Sequence, residues 1–228
     1  RDLHSFPTRR SSDLNAELLD SVATTWQLAM DRLSDNAREI LNVIAFYAPD
    51  AIPVHLLFAS ADELARHRAI GELHAYSLVK PAAPGTVTVH RLVQAVTRNR
   101  LRAGLVAHEW ADRAHALITK AIPDEDKRHS AATIAAWNMV HTHVLAVLEH
   151  LPPERPDTLS TRHSLAFWTW RAGNTTRARD LFVELEPIRE RVLGAEHPDA
   201  LTTRAFAANL IGWTGDPVRA AFRSESVV

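Results

Sequence analysis

The chain has 228 residues, 46% apolar and 23% charged, enough for one or two globular domains with a core. A formal net charge of −1 and a pI near 7.0 give no electrostatic case for nucleic acid or an anionic membrane as main partner. The absence of cysteine excludes disulfides, thiolate metal sites and thiol catalysis, and fits a reducing cytoplasm; no apolar run approaches the ~20 residues of a bilayer span.

Residues 1–14 show neither helical nor strand periodicity and read as a tail outside the fold. Leu19, Val22, Trp26, Ala29, Met30 and Leu33 recur at helical spacing and predict a helix over 16–32. Ser34-Asp35-Asn36 offers N-caps for a second helix, with Ala37, Ile40, Leu41, Ile44, Ala45 and Ala48 as its buried stripe and Pro49-Asp50 as its end. A short helix is predicted after Pro53 through Phe58, and another after Ser60-Ala61-Asp62, carrying Leu64, Ile70, Leu73 and Tyr76. The β-prone runs 76–80 and 86–90, separated by Pro81, Pro84 and Gly85, predict a hairpin, and a helix resumes at Arg91. Helices closed by a hairpin predict a winged helix-turn-helix domain over 15–103.

Beyond Gly104 the pattern is helical. Helices over 105–122 and 131–151, stopped by Pro123 with Asp124–Lys127 and by Pro152-Pro153, form a spacer over 104–153. A segment then occurs twice, 42 residues apart: Pro156-Asp157-Thr158-Leu159-Ser160-Thr161-Arg162 and Pro198-Asp199-Ala200-Leu201-Thr202-Thr203-Arg204. The match continues in step through Ala166 and Ala208, Gly173 and Gly215, and Arg177 and Arg219. A fixed period over helix-forming sequence marks a stacked array over 154–222, in which each unit buries its apolar face only against a neighbour. Asn174 and Asp216-Pro217 are the expected caps of the two B helices, the second cut short, and 223–228 is a tail. Pro187 lies inside the first B helix and predicts a kink or a restart. The fold class is therefore all-α with one short hairpin wing: a winged helix followed by an α-α superhelix.

Residues 193–204, Leu-Gly-Ala-Glu-His-Pro-Asp-Ala-Leu-Thr-Thr-Arg, resemble the inter-repeat signature of kinesin-light-chain-type tetratricopeptide repeats. Residues 73–79 and 87–94 resemble the end of the winged helix that follows the nucleotide-binding module in bacterial, chiefly actinobacterial, NB-ARC-type STAND ATPases with tetratricopeptide repeats. That resemblance implies a regulatory segment of a signalling NTPase, with the repeats binding a protein or peptide. It also implies that a histidine before the last helix reads the β-phosphate of ADP. Here the triplet is Val89-His90-Arg91, so His90 and Arg91 are the expected nucleotide-sensing residues, in the intact parent only, with Arg91 replacing the usual acid. No Gly-x-x-x-x-Gly-Lys-Ser/Thr loop is present, so this stretch is expected to hold no cofactor and hydrolyse nothing; ADP, ATP and Mg²⁺ belong to the full-length parent. Residues 4–14 resemble a translated sequencing adapter, which marks the chain as an internal fragment.

By resemblance, Arg162, Arg204 and Asn209 lie on the A helices and are expected partner contacts. Phe167 and Trp170 fall on the packing stripe, whereas Trp168 points off it and is the expected surface anchor. His141 and His143 diverge by about 200° on a helix and cannot chelate together, so they read, like His108, as solvated positions. No Gly-x-Ser-x-Gly elbow is present. Arg66, His67 and Arg68 keep a DNA-binding regulator open as an alternative, although the wing tip carries no cation. A plain repeat adaptor without a nucleotide module is the other alternative, and a severed array can self-associate.

Overall fold

The computed structural model describes residues 26, 28–57, 62–125 and 130–214. The tail over 1–14, the first half of the expected first helix, Ser60-Ala61, Asp126-Lys127 and the second B helix with its Asp216-Pro217 cap lie outside the described residues.

Helix α1 (Asp35–Ile44) starts at Ser34, whose hydroxyl accepts from the Ala37 N–H at 3.3 Å. Ala37, Ile40, Leu41, Ile44 and Ala45 of its expected stripe are fully buried, whereas Ala48, beyond the helix end, is half-buried. Strand β1 (Ile52–Pro53) and a single 3₁₀ turn (Val54–Leu56) lead to α2 (Glu63–Ala75), capped by Asp62. The expected hairpin follows as β2 (Val79–Pro81) and β3 (Thr86–Val89). It is shorter than the β-prone runs because Ser77 enters the left-handed region (φ 58°) to end α2. There the Leu78 N–H reaches back to the Leu73 carbonyl at 2.9 Å. A third strand also escaped the sequence. β1 pairs antiparallel with β3, Ile52 opposite Val87, to give the order β1-β3-β2. Two residues ending in proline carry no readable alternation.

Helix α3 (Arg91–Ala103) lies against α1. Its Gln94 is buried, and the side-chain amide donates to the carbonyls of Ile44 (2.7 Å) and Tyr47 (2.9 Å) just past the end of α1, where Ile44 also accepts from the Tyr47 N–H at 3.3 Å. At the far end of α3 the left-handed position falls not on Gly104 (φ −82°) but on Leu105 (φ 58°), which is 82% exposed. The Val106 N–H then closes onto the Leu101 carbonyl at 3.0 Å.

The rest is helical: α4 (Ala107–Thr119), α5 (Ala131–Leu148), α6 (Pro156–Arg171), α7 (Thr175–Leu193) and α8 (Pro198–Trp213). α6 and α8 both begin with proline at their first position and aspartate next, the repeat made visible. α7 packs along both of them. It runs unbroken through Pro187, so the expected restart does not occur; the proline sits on the exposed side, where its ring meets water rather than packed neighbours.

One buried cluster runs from Met30 to Leu210, joining the N-terminal unit to the helical array. At the junction the Tyr47 hydroxyl donates to the Ala114 carbonyl at 3.0 Å, and the Phe46 ring meets His150 edge-on at 5.2 Å. His143 corrects its expected solvated position. It is buried, its Nε2 lies 3.4 Å from the Ala51 carbonyl, and burial pushes its pKa below the ordinary histidine value. α5 has the length and mean hydropathy (1.3) of a bilayer span, but Trp137, Val140, Val144 and Val147 on it are buried in this protein core.

Replacing Gln94 with Met keeps its volume, strands the Tyr47 carbonyl and takes one of two donors from Ile44, so urea unfolding should show a loss of about 2 kcal/mol. Leu105→Gly should raise the unfolding free energy by up to about 1 kcal/mol, read as a higher urea midpoint at unchanged m-value, because glycine carries no Cβ into the left-handed region and little burial is forfeited.

Candidate functional site

α4, α6 and α8 touch in series, and the contacts between them define the two notable sites. Between α6 and α8 the contacts are aromatic, with Phe167 buried and Trp170 and Phe206 half-buried. Phe206 stacks on Phe182 of α7 with centroids 5.0 Å apart, and it meets Phe167 and Trp170 edge-on. Beneath them lies the Arg189 guanidinium, 3% exposed. It donates to the Leu159 carbonyl (3.1 Å), the Asp199 carbonyl (3.0 Å), the Thr203 hydroxyl (2.8 Å) and His163 Nδ1 (3.1 Å). His163 Nδ1 is therefore an acceptor. The ring is neutral with its proton on Nε2, 3.8 Å from Glu125 Oε2. Burial, reinforced by the Arg189 charge, pushes its pKa down to about 4.

Between α4 and α6 the contacts are polar and open. A groove of about 1160 Å³ lies there, floored by Asp112, His115 and Thr119 of α4 and by Asp157, Ser160, Thr161 and Ser164 of α6. Arg155, at the N-cap of α6, bridges Asp112 and Asp157, with its Nε 3.0 Å from Asp157 Oδ1. The pairing holds the Asp157 carboxyl below its usual range and Arg155 above its own. His115 is buried, with Nε2 2.7 Å from Thr161 Oγ1. The Thr161 hydroxyl spends its proton on the Asp157 carbonyl at 3.0 Å, so it accepts from His115 and fixes the Nε2–H tautomer. Nδ1 then carries a lone pair, 3.7 Å from Asp157 Oδ2. Burial lowers the His115 pKa against the opposing pull of Asp157.

The expected contacts fall elsewhere. Trp168 is fully buried, its indole N–H donating to the Pro123 carbonyl at 2.8 Å, so it is no surface anchor. The stripe reasoning missed that the loop after α4 covers that flank of α6. Trp170, expected in the core, is only half-buried. Arg162 and Arg204 turn away from the groove toward the α5–α7 side. Arg162 lines a separate pocket of about 230 Å³ with Leu145, Glu149, Leu181 and Glu184. Arg204 is spent on Glu190 of α7, its Nε 3.0 Å from Oε1. Asn209 is exposed on α8. His90 and Arg91 are exposed at the start of α3. The His90 Nδ1 accepts from the Leu92 N–H at 3.1 Å, which caps the helix and leaves Nε2 as the free nitrogen of the ring. Asp112, His115 and Arg155 escaped the sequence reading because they lie outside the marked repeat; Asp157 lies within the quoted signature but was not singled out.

Residues 158–199 match the family model of the tetratricopeptide repeat, which covers most of α6, all of α7 and the entry to α8. Residues 28–104 match DUF7779, a domain of unknown function, a span that takes in α1 to α3 and the sheet. No curated protein matches the chain, and no solved structure does.

Neutral buried histidines make the fold acid-sensitive. An unfolded histidine takes up its proton near pH 6.5, whereas folded His163 does so only near 4, so stability falls as pH drops through that window. His163 alone should cost about 3 kcal/mol across it, with His115, His143 and His150 acting in the same direction. Urea titrations from pH 7 to 4.5 should show this slope, and His163→Asn should flatten it.

Proposed function

We propose that this chain is a non-catalytic regulatory and protein-interaction segment of a STAND-type signalling NTPase of the cytoplasm. Its repeats bind a protein partner, and its N-terminal unit, read as a winged helix, couples that binding to nucleotide state in the intact parent. The observation that carries the interaction role is the α6–α7–α8 stack, whose sequence matches the tetratricopeptide repeat and whose helices leave a polar groove open beside α4. Tetratricopeptide repeats generally mediate protein–protein contact, and a stack of helix pairs provides the extended surface for it.

The nucleotide half of the reading draws support from connectivity. A helix, a short strand, a second helix and a hairpin in the order β1-β3-β2 suit a winged helix. His90 stands directly after the hairpin, at a helix start, exposed and with its Nε2 unpaired among the described residues, where a module in front of this segment could bring a phosphate. The same exposure leaves Arg91 available to add positive charge. The continuous core between the N-terminal unit and the array would transmit a shift of one to the other, because packed cores do not deform gradually.

The gene upstream of residue 15 decides the class: a phosphate-binding loop with an acidic strand end supports the switch, and its absence leaves a repeat adaptor. In an intact parent that retains ADP, His90→Ala should weaken ADP binding on the order of tenfold, the worth of one charge-assisted hydrogen bond. It should also raise basal signalling. Unchanged ADP affinity by calorimetry would remove the sensor role.

A further inference from the structure

We propose that the groove between α4 and α6 receives an arginine or lysine side chain from an extended basic segment of the protein partner. The inference rests on the partner-binding reading of the repeats and adds the chemistry of what they bind.

The groove is furnished almost entirely with acceptors. Each hydroxyl that faces it has spent its proton inside the protein: Thr119 on the His115 carbonyl (3.0 Å), Ser160 on the Pro156 carbonyl (3.0 Å), Thr161 on the Asp157 carbonyl (3.0 Å) and Ser164 on Glu125 (2.9 Å). What these groups turn outward is oxygen lone pairs. Among the described residues that line it, four carboxylates, Asp112, Asp124, Glu125 and Asp157, stand against two cations, and Arg155 is consumed by Asp112 and Asp157. Lys120, the other cation of the lining, is exposed. An anionic ligand, whether nucleic acid or acidic peptide, would meet unpaired lone pairs and like charge here.

A second observation points the same way. The His115 side chain is 5% exposed and its Nδ1 has no hydrogen-bond partner among the described residues. It faces Asp157 Oδ2 across 3.7 Å, one acceptor opposite another. A single N–H donor entering from the groove would satisfy both. A guanidinium supplies several such donors in a fixed plane and an ammonium three, and either would also compensate the excess negative charge. The groove, at about 1160 Å³, has room for a side chain together with the backbone that carries it.

The test measures fluorescence anisotropy of the full chain with three labelled nonapeptides in one Gly/Ser frame, carrying two arginines, two glutamates or no charge. The arginine peptide should bind, the others at least tenfold more weakly. Asp124→Lys, at an exposed position, should weaken the arginine peptide at least tenfold, while Asp50→Lys, the same charge change on the N-terminal unit, should not. On binding, the His115 Nδ1 nitrogen resonance should move as a hydrogen-bonded acceptor does. Equal weakening by the two charge reversals, or an unmoved His115 resonance, would overturn the proposal in favour of diffuse attraction. Spermine competing as well as the peptide would overturn the peptide assignment. Display of random nonapeptides separates this inference from the reading beneath it: selection of acidic or neutral sequences defeats the basic class and leaves partner binding standing, whereas selection of none defeats both.

Discussion

The helical array depends on a charge placed where charges are costly. The Arg189 guanidinium lies buried among three helices, with no carboxylate in direct contact among the described residues; its two terminal nitrogens donate to two backbone carbonyls, a threonine hydroxyl and an imidazole nitrogen, while its Nε has no partner among the described residues. Hydrogen bonds to a cation are stronger than neutral ones, and they are exacting, because each acceptor must be in place or the buried charge goes uncompensated. The requirement sets the tautomer of His163, holds Thr203 in its rotamer and brings the first turn of α8 onto α6 and α7. Phe182 and Phe206, stacked nearly parallel at 8°, fill the space that this arrangement leaves.

The N-terminal unit is tied to the array by similarly local means. Gln94 closes the end of α1, Tyr47 reaches Ala114 and His143 reaches Ala51, all within one continuous core. His90 and Arg91 are exposed at the start of α3, and α4 forms one wall of the polar groove.

The two inter-helix contacts divide the work. Between α6 and α8 the repeat interface is aromatic and tightly packed, which suits adhesion. Between α4 and α6 it is polar and open, which suits recognition, and the internal commitment of every hydroxyl proton gives that opening a definite chemical sense. The α5–α7 side, where Arg162 and Arg204 turned up, is a third surface, in which Arg204 already serves Glu190.

Some of this was legible in one dimension because its cause is local. Helix periodicity, the Ser34 and Asn174 caps, the prolines opening α6 and α8 and the 42-residue period all follow from side chains acting on their own backbone or one turn away. The hairpin was legible for the same reason. What only the tertiary structure decided concerns groups that meet across the fold. β1 exists because β3 offers it an edge, and Trp168 is buried because Pro123, 45 residues earlier, lies over it. His143 is buried because β1 and α5 converge, and Asp112, His115, Arg155 and Asp157 become one site only when α4 and α6 lie side by side. Spacing along a chain records which face of a helix a residue occupies; it does not record what will come to cover that face.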